Sequence, residues 1–98
     1  MNNIYIGAIR GRHEMPVDTY LLDKVDDPTD IAGIEKAVDE SFSRILSGVE
    51  THDTCCFLYV TGLTSVTIAA IKWCLGHGVS ITAMHYDVLT GRYFPQEI

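Results

Sequence analysis

Residues 54–75 read Thr-Cys-Cys-Phe-Leu-Tyr-Val-Thr-Gly-Leu-Thr-Ser-Val-Thr-Ile-Ala-Ala-Ile-Lys-Trp-Cys-Leu. An apolar strand, Cys55–Val60, runs into Thr61-Gly62-Leu63-Thr64-Ser65, and an apolar helix follows at once. A strand–tight turn–helix junction aims unpaired backbone N–H groups and the positive end of a helix dipole at one point. Gly62 has access to a positive φ angle, and the hydroxyls of Thr61, Thr64 and Ser65 add short-range donors. The chemistry that suits this turn is the gripping of a phosphate or another anion. The same residues also fit a plainer role, in which Thr64 caps the helix and Gly62 makes the turn.

Two further clusters carry titratable groups. The loop Arg10-Gly11-Arg12-His13-Glu14 has the densest positive charge in the chain. Arginine is planar and permanently charged, which suits phosphate, and Gly11 between two arginines lets backbone approach a ligand. His85 lies in an otherwise apolar strand, followed by Tyr86 and Asp87. His13 and His85 are candidate proton-transfer groups; a solvated loop histidine and a hydrogen-bonded strand-end histidine are their simpler readings. Other templates are absent. There is no GxxxxGK[ST] loop, GxGxxG, GxSxG or HExxH, and His52-Asp53 and His85-Tyr86-Asp87 are too sparse for a zinc site. No metal and no cofactor are expected.

Composition limits the partners. With 98 residues, 47% hydrophobic and 20% charged, the chain reads as a single ordered domain over 1–98. Its net charge of −6 argues against salt-driven binding to long nucleic acid but leaves room for one small anionic ligand. Met1-Asn2-Asn3 lacks the basic start of a signal peptide, and no apolar run is long enough for a bilayer, so a cytoplasmic location is expected. Cys55, Cys56 and Cys74 all lie in apolar segments. Neighbours on a strand point to opposite faces, so Cys55 and Cys56 cannot form a CxxC-type site, and free thiols are expected.

These residues need elements to hold them. Ile4–Ile9 reads as a first strand and Val17–Val25 as a second. Asp26-Asp27-Pro28-Thr29-Asp30 carries helix-start chemistry, and Ile31, Ile34, Val38, Phe42, Ile45 and Leu46 then fall on one helical stripe. The helix Val66–Leu75 is apolar nearly all round, with Lys72 its only charge. Such a helix must be covered on more than one side, and a small domain has little material for a second cover. A homodimer or higher oligomer through Val66–Leu75 is therefore expected. Gly76-His77-Gly78 stops the helix, Val79–Tyr86 reads as a fourth strand, and a turn at 87–91 leads to a short last strand from Arg92.

The expected fold is α/β, a small Rossmann-like mixed sheet of two or three layers in the order β-β-α-β-α-β-β. Helical crossovers imply parallel neighbours, and the two terminal hairpins would add antiparallel edges. Ligands in such sheets bind at the carboxyl ends of parallel strands, where Thr61–Ser65 sits. The ends of the first strand, at Ile9-Arg10, and of the fourth, near His85-Tyr86, are expected at the same rim.

The run Tyr59-Val60-Thr61-Gly62-Leu63-Thr64 resembles the Thr-Gly-Gly-Thr signature of CARF domains and their small relatives, the ring nucleases. This chain has Leu63 where that signature has its second glycine, and Ser65 where a lysine or arginine is common. The resemblance covers about six residues and the element order. It implies a homodimer that binds a cyclic oligoadenylate or related nucleotide of antiviral defence at a dimer pocket. It further implies metal-independent cleavage, in which a ribose 2′-hydroxyl attacks the adjacent phosphodiester. Thr61, Gly62, Leu63, Thr64 and Ser65, with Arg10 and Gly11, would bind the ligand; Arg12, His13 and His85 would act in catalysis. A protein that sequesters a nucleotide without cleaving it, such as a phage-encoded anti-defence protein, fits the same residues, and a structural protein that oligomerises through its apolar helix is a third reading.

Overall fold

The structure, a computed structural model, describes residues 2–11 and 14–98. Strand β1 (Asn2–Ile9) is followed by β2 (Thr19–Leu22), helix α1 (Ile31–Ile45) and a 3₁₀ turn at Thr51–Asp53. Strand β3 (Thr54–Tyr59), helix α2 (Thr64–His77), and strands β4 (Ser80–Asp87) and β5 (Arg92–Glu97) complete it. The fold is α/β, with one mixed sheet in the order β2-β1-β3-β4-β5.

Strands β2, β1, β3 and β4 are parallel, and only β5 runs antiparallel, on β4. The C-terminal hairpin is as expected. The N-terminal one is not: β2 lies parallel to β1, with Ile6 opposite Thr19 and Ile9 opposite Leu22. A parallel partner needs a crossover, and among the described residues between β1 and β2 none is helical. The second strand is also shorter than the expected Val17–Val25.

Crossover handedness explains the layers. From β2 to β3 and from β3 to β4 the chain moves the same way across the sheet, so right-handed crossovers put α1 and α2 on one face. The step from β1 to β2 runs the other way, toward the opposite face. Buried Met15 packs there: a Cβ added to Gly7 would meet the Tyr20 ring at 2.5 Å and the Met15 sulfur at 3.0 Å. The result is a two-layer arrangement rather than a sheet with helices on both sides.

Asp30 caps α1 by accepting from the Gly33 amide at 3.0 Å, as the local sequence predicts. Ile34, Val38, Phe42 and Leu46 enter the core with Ile6, Ala8, Cys56, Leu58 and Ile81 of the sheet. Ile31, on the expected stripe, stays exposed at the helix start.

Within the chain, helix α2 is covered on two sides. Val66, Ala69, Ala70 and Cys74 face the core. On the α1 side, the Trp73 ring stacks on Phe42 at 4.5 Å, its Nε1 donates to Asp39 Oδ1 at 2.7 Å, and Lys72 pairs with Glu35. The sheet and α1 together provide the two-sided cover that the apolar circumference requires. Ile68 and Leu75 remain outward, 52% and 63% exposed.

Candidate functional site

The register brings three strand ends together. Gly7, Tyr59 and Met84 lie in one row across β1, β3 and β4. The residues beyond them, Ile9-Arg10, Val60-Thr61 and His85-Tyr86, therefore share one rim at the carboxyl ends of the parallel strands. The Val60 amide continues the ladder by donating to the Met84 carbonyl at 3.1 Å.

At this rim the chain turns from β3 into α2. Leu63 holds the N-cap position and Thr64 is the first helical residue, so Thr64 does not cap the helix, and among the described residues no side chain does. The Val66 amide bonds back to the Leu63 carbonyl at 3.2 Å. Gly62 is not in the left-handed region, and a Cβ there would meet nothing within 4 Å. Its positive-φ role is therefore not used; what Gly62 leaves is open space beside the helix start. Leu63 anchors the turn by packing against the core.

Thr61 Oγ1 and Ser65 Oγ are buried, and among the described residues neither has a hydrogen-bond partner; Thr67 Oγ1, on the next turn, is the same. Buried hydroxyls are normally paired, so three at one helix start stand out. Two of them belong to the run that the sequence singles out.

The cationic residues are arranged differently. Arg10 turns toward β2, where its Nε donates to Asp23 Oδ1 at 2.9 Å and its guanidinium lies 4.6 Å from the Tyr20 ring centre. It is committed at the outer edge of the sheet and is not gathered with Thr61–Ser65. Gly11 is exposed with φ +80°. Arg12 and His13 lie outside the described residues. His85 alternates with Ala83 onto the helix side, where its Nε2 is 2.8 Å from Gln96 Oε1 and its ring packs near Phe94 at 5.3 Å. The hydrogen-bonded strand-end reading of His85 describes this contact.

Sequence reasoning passed over the tyrosines of the opposite face. Tyr93 meets Tyr59 edge-on at 4.8 Å and Tyr86 at 5.2 Å, and its hydroxyl donates to the Glu14 carbonyl at 3.4 Å. Burial, then the neighbouring phenols, push the Tyr93 hydroxyl upward in pKa. The signal lay in the alternation of Phe57 with Tyr59 and Met84 with Tyr86, which the pleat sends to one face.

Three concavities lie elsewhere than Thr61–Ser65. One runs along the amino ends of the strands near Cys55, Ser80 and Glu97; one lies between β2 and α1 beside Asp26, Asp27 and Asp30; the third adjoins the β4–β5 hairpin at Asp87, Arg92 and Tyr93. Among the described residues no group of acidic, histidine and cysteine side chains is placed to hold a metal, and no helix is long and apolar enough to cross a membrane. Compared with known proteins, the chain matches no family model, and no curated protein and no solved structure matches it at a significant level.

Proposed function

We propose that this protein binds a small phosphate-bearing ligand, a cyclic oligonucleotide or a related nucleotide messenger, at the turn between β3 and α2. The observation that carries this reading is the helix start itself: among the described residues no side chain caps α2, and Thr61 Oγ1 and Ser65 Oγ are buried beside it with no hydrogen-bond partner. Amides at such a start, joined by two hydroxyls, suit an anionic oxygen. The sequence resemblance supports a cyclic oligoadenylate as the first ligand to try.

Binding without cleavage is the form the geometry favours. Arg10 is engaged with Asp23 and His85 with Gln96, so neither described candidate is turned to the helix start. Cleavage by 2′-hydroxyl attack rests on Arg12 and His13. A homodimer pocket belongs to the same reading, with Ile68 and Leu75 of α2 as its outward apolar contacts. A structural role for α2 as a contact between chains is the second reading, carried by the outward exposure of Ile68 and Leu75 on the same helix.

A thermal-shift panel of cyclic di-, tri-, tetra- and hexa-adenylates tests the proposal. A ligand at a hundredfold excess over its Kd stabilises the folded state by about 2.7 kcal/mol. No shift with any member, in a protein that melts cooperatively, overturns it; turnover of a radiolabelled ligand would restore the nuclease form.

A further inference from the structure

We infer that the sheet face away from the helices carries a site for a small organic ammonium ion, held above Thr82 between the Phe57 ring and the Glu97 carboxylate. The site uses none of the residues of the β3–α2 turn and does not rest on the phosphate reading.

The strand register sets the site out. Tyr5 pairs with Phe57, Phe57 with Thr82, and Thr82 with Glu97, so one row of four side chains crosses β1, β3, β4 and β5 on a single face. Their neighbours along the strands, Ile6, Cys56, Leu58 and Ile81, point the other way and enter the core beneath the helices. The row therefore lies on the face that the helices leave open.

The two rings give this row a direction. Tyr5 and Phe57 are stacked, with centroids 4.9 Å apart and planes within 12°. That separation matches the spacing of neighbouring strands, about 4.8 Å, so the rings stand face to face across β1 and β3. The second face of Phe57 is then turned toward β4, over the small side chain of Thr82. Tyr5 is 50% exposed, which leaves the row open to solvent.

Charge and space complete the site. Glu97 is exposed, and among the described residues no cation pairs with it. A concavity of about 450 Å³ runs along Cys55, Ser80, Thr82 and Glu97, within the size range of small-molecule sites. One wall of the row is thus the negative face of an aromatic ring, and the other is a carboxylate. A group above Thr82 stands one strand spacing, about 4.8 Å, from each, inside the roughly 6 Å over which a ring attracts a cation. The net charge of −6 draws cations to the surface as a whole. An ammonium head with alkyl substituents meets both walls: its charge faces Glu97, and its alkyl groups lie on Phe57.

The test is an NMR titration that reads millimolar affinities, with choline, its uncharged isostere 3,3-dimethylbutan-1-ol, and sodium chloride as the ionic control. The parent should bind choline at least tenfold more tightly than the isostere, with shifts at Phe57 and Thr82 that sodium chloride does not reproduce. Glu97→Gln, at an exposed position, should weaken choline at least fivefold and leave the isostere within about twofold. Phe57→Leu, with its melting temperature measured alongside, should weaken choline at least threefold. Nα-acetyl-lysine amide carries the same charge on a peptide side chain: affinity equal to that of choline assigns the site to lysine side chains as well, and weaker binding restricts it to free amines. Equal affinities for choline and the isostere, unchanged choline binding in Glu97→Gln, or shifts matched by sodium chloride overturn the site. Any of these results leaves the anion reading of the β3–α2 turn standing, because none of the probes is a ligand for it.

Discussion

Trp73 of α2 donates its indole N–H to Asp39 of α1 at 2.7 Å while its ring stacks on Phe42. This pair joins the two helices over one face of the sheet. An apolar residue that the sequence points toward a partner subunit is thus occupied within its own chain.

Replacing Trp73 should therefore unfold the protein before it separates subunits. Trp73→Ala is expected to cost about 2–4 kcal/mol in urea denaturation, through the lost stack and the cavity left behind. Ile68→Glu and Leu75→Glu, on the outward side, should stay within about 0.5 kcal/mol. If α2 is a dimer contact, those two variants lower the mass in light scattering while Trp73→Ala lowers the melting temperature.

Gly62→Val separates the turn's structural and binding roles. With an ordinary φ and open space around its Cα, the site accepts a side chain with a change of about 0.5 kcal/mol or less. Ligand binding should nevertheless fall at least tenfold, because the side chain fills the approach to the helix start. A large loss of stability with unchanged affinity would assign the turn to architecture alone.

Ser65→Ala is expected to raise stability and lower affinity together. Among the described residues Ser65 Oγ has no partner, a buried hydroxyl left so costs about 1–3 kcal/mol, and alanine is the better helix former. Paired melting and titration of the same variant read both effects.

Arg10→Ala should leave ligand affinity unchanged, since an exposed pair with Asp23 contributes about 0.2–1 kcal/mol to stability and faces the sheet's outer edge. Arg12→Ala should weaken binding at least tenfold, about 1.4 kcal/mol, if the loop reaches the phosphate. Unchanged affinity in Arg12→Ala, against a ligand established for the parent, removes the loop from the site. His13→Ala should spare binding and slow any turnover, whereas His85→Ala, at a side chain engaged with Gln96, should change neither.

The thiols predict a pH effect. The adjacent Cys74 thiol, then burial, push the Cys56 thiol far above its usual range, whereas Cys55 is half-buried. A raised folded-state pKa means the unfolded chain loses its proton first. Stability from this group is intact below the unfolded pKa of about 9 and falls by about 1.4 kcal/mol per pH unit above it. Denaturation at pH 8 and pH 10 checks the slope, and in thiol-reagent labelling Cys55 should react well before Cys56 and Cys74.

What depends on near neighbours was legible along the chain. The order of elements, the Asp30 cap, the buried stripe of α1 and the turn at Thr61–Ser65 are all set within a few residues by periodicity and capping chemistry. The opposite facing of Cys55 and Cys56 follows from the pleat alone. Tertiary structure decided what depends on partners distant in the chain. Whether β2 runs parallel or antiparallel to β1 turns on which way residues 10–18 cross the sheet, and no local propensity encodes that direction. The partner of Trp73 lies 34 residues away, and that of Arg10 13 residues away on the next strand. The all-round apolarity of α2 stated that it must be covered, but the packing of α1 beside it decided by what. The rim itself is of the same kind: the ends of β1, β3 and β4 come together only through the register that sets Gly7 beside Tyr59 and Tyr59 beside Met84.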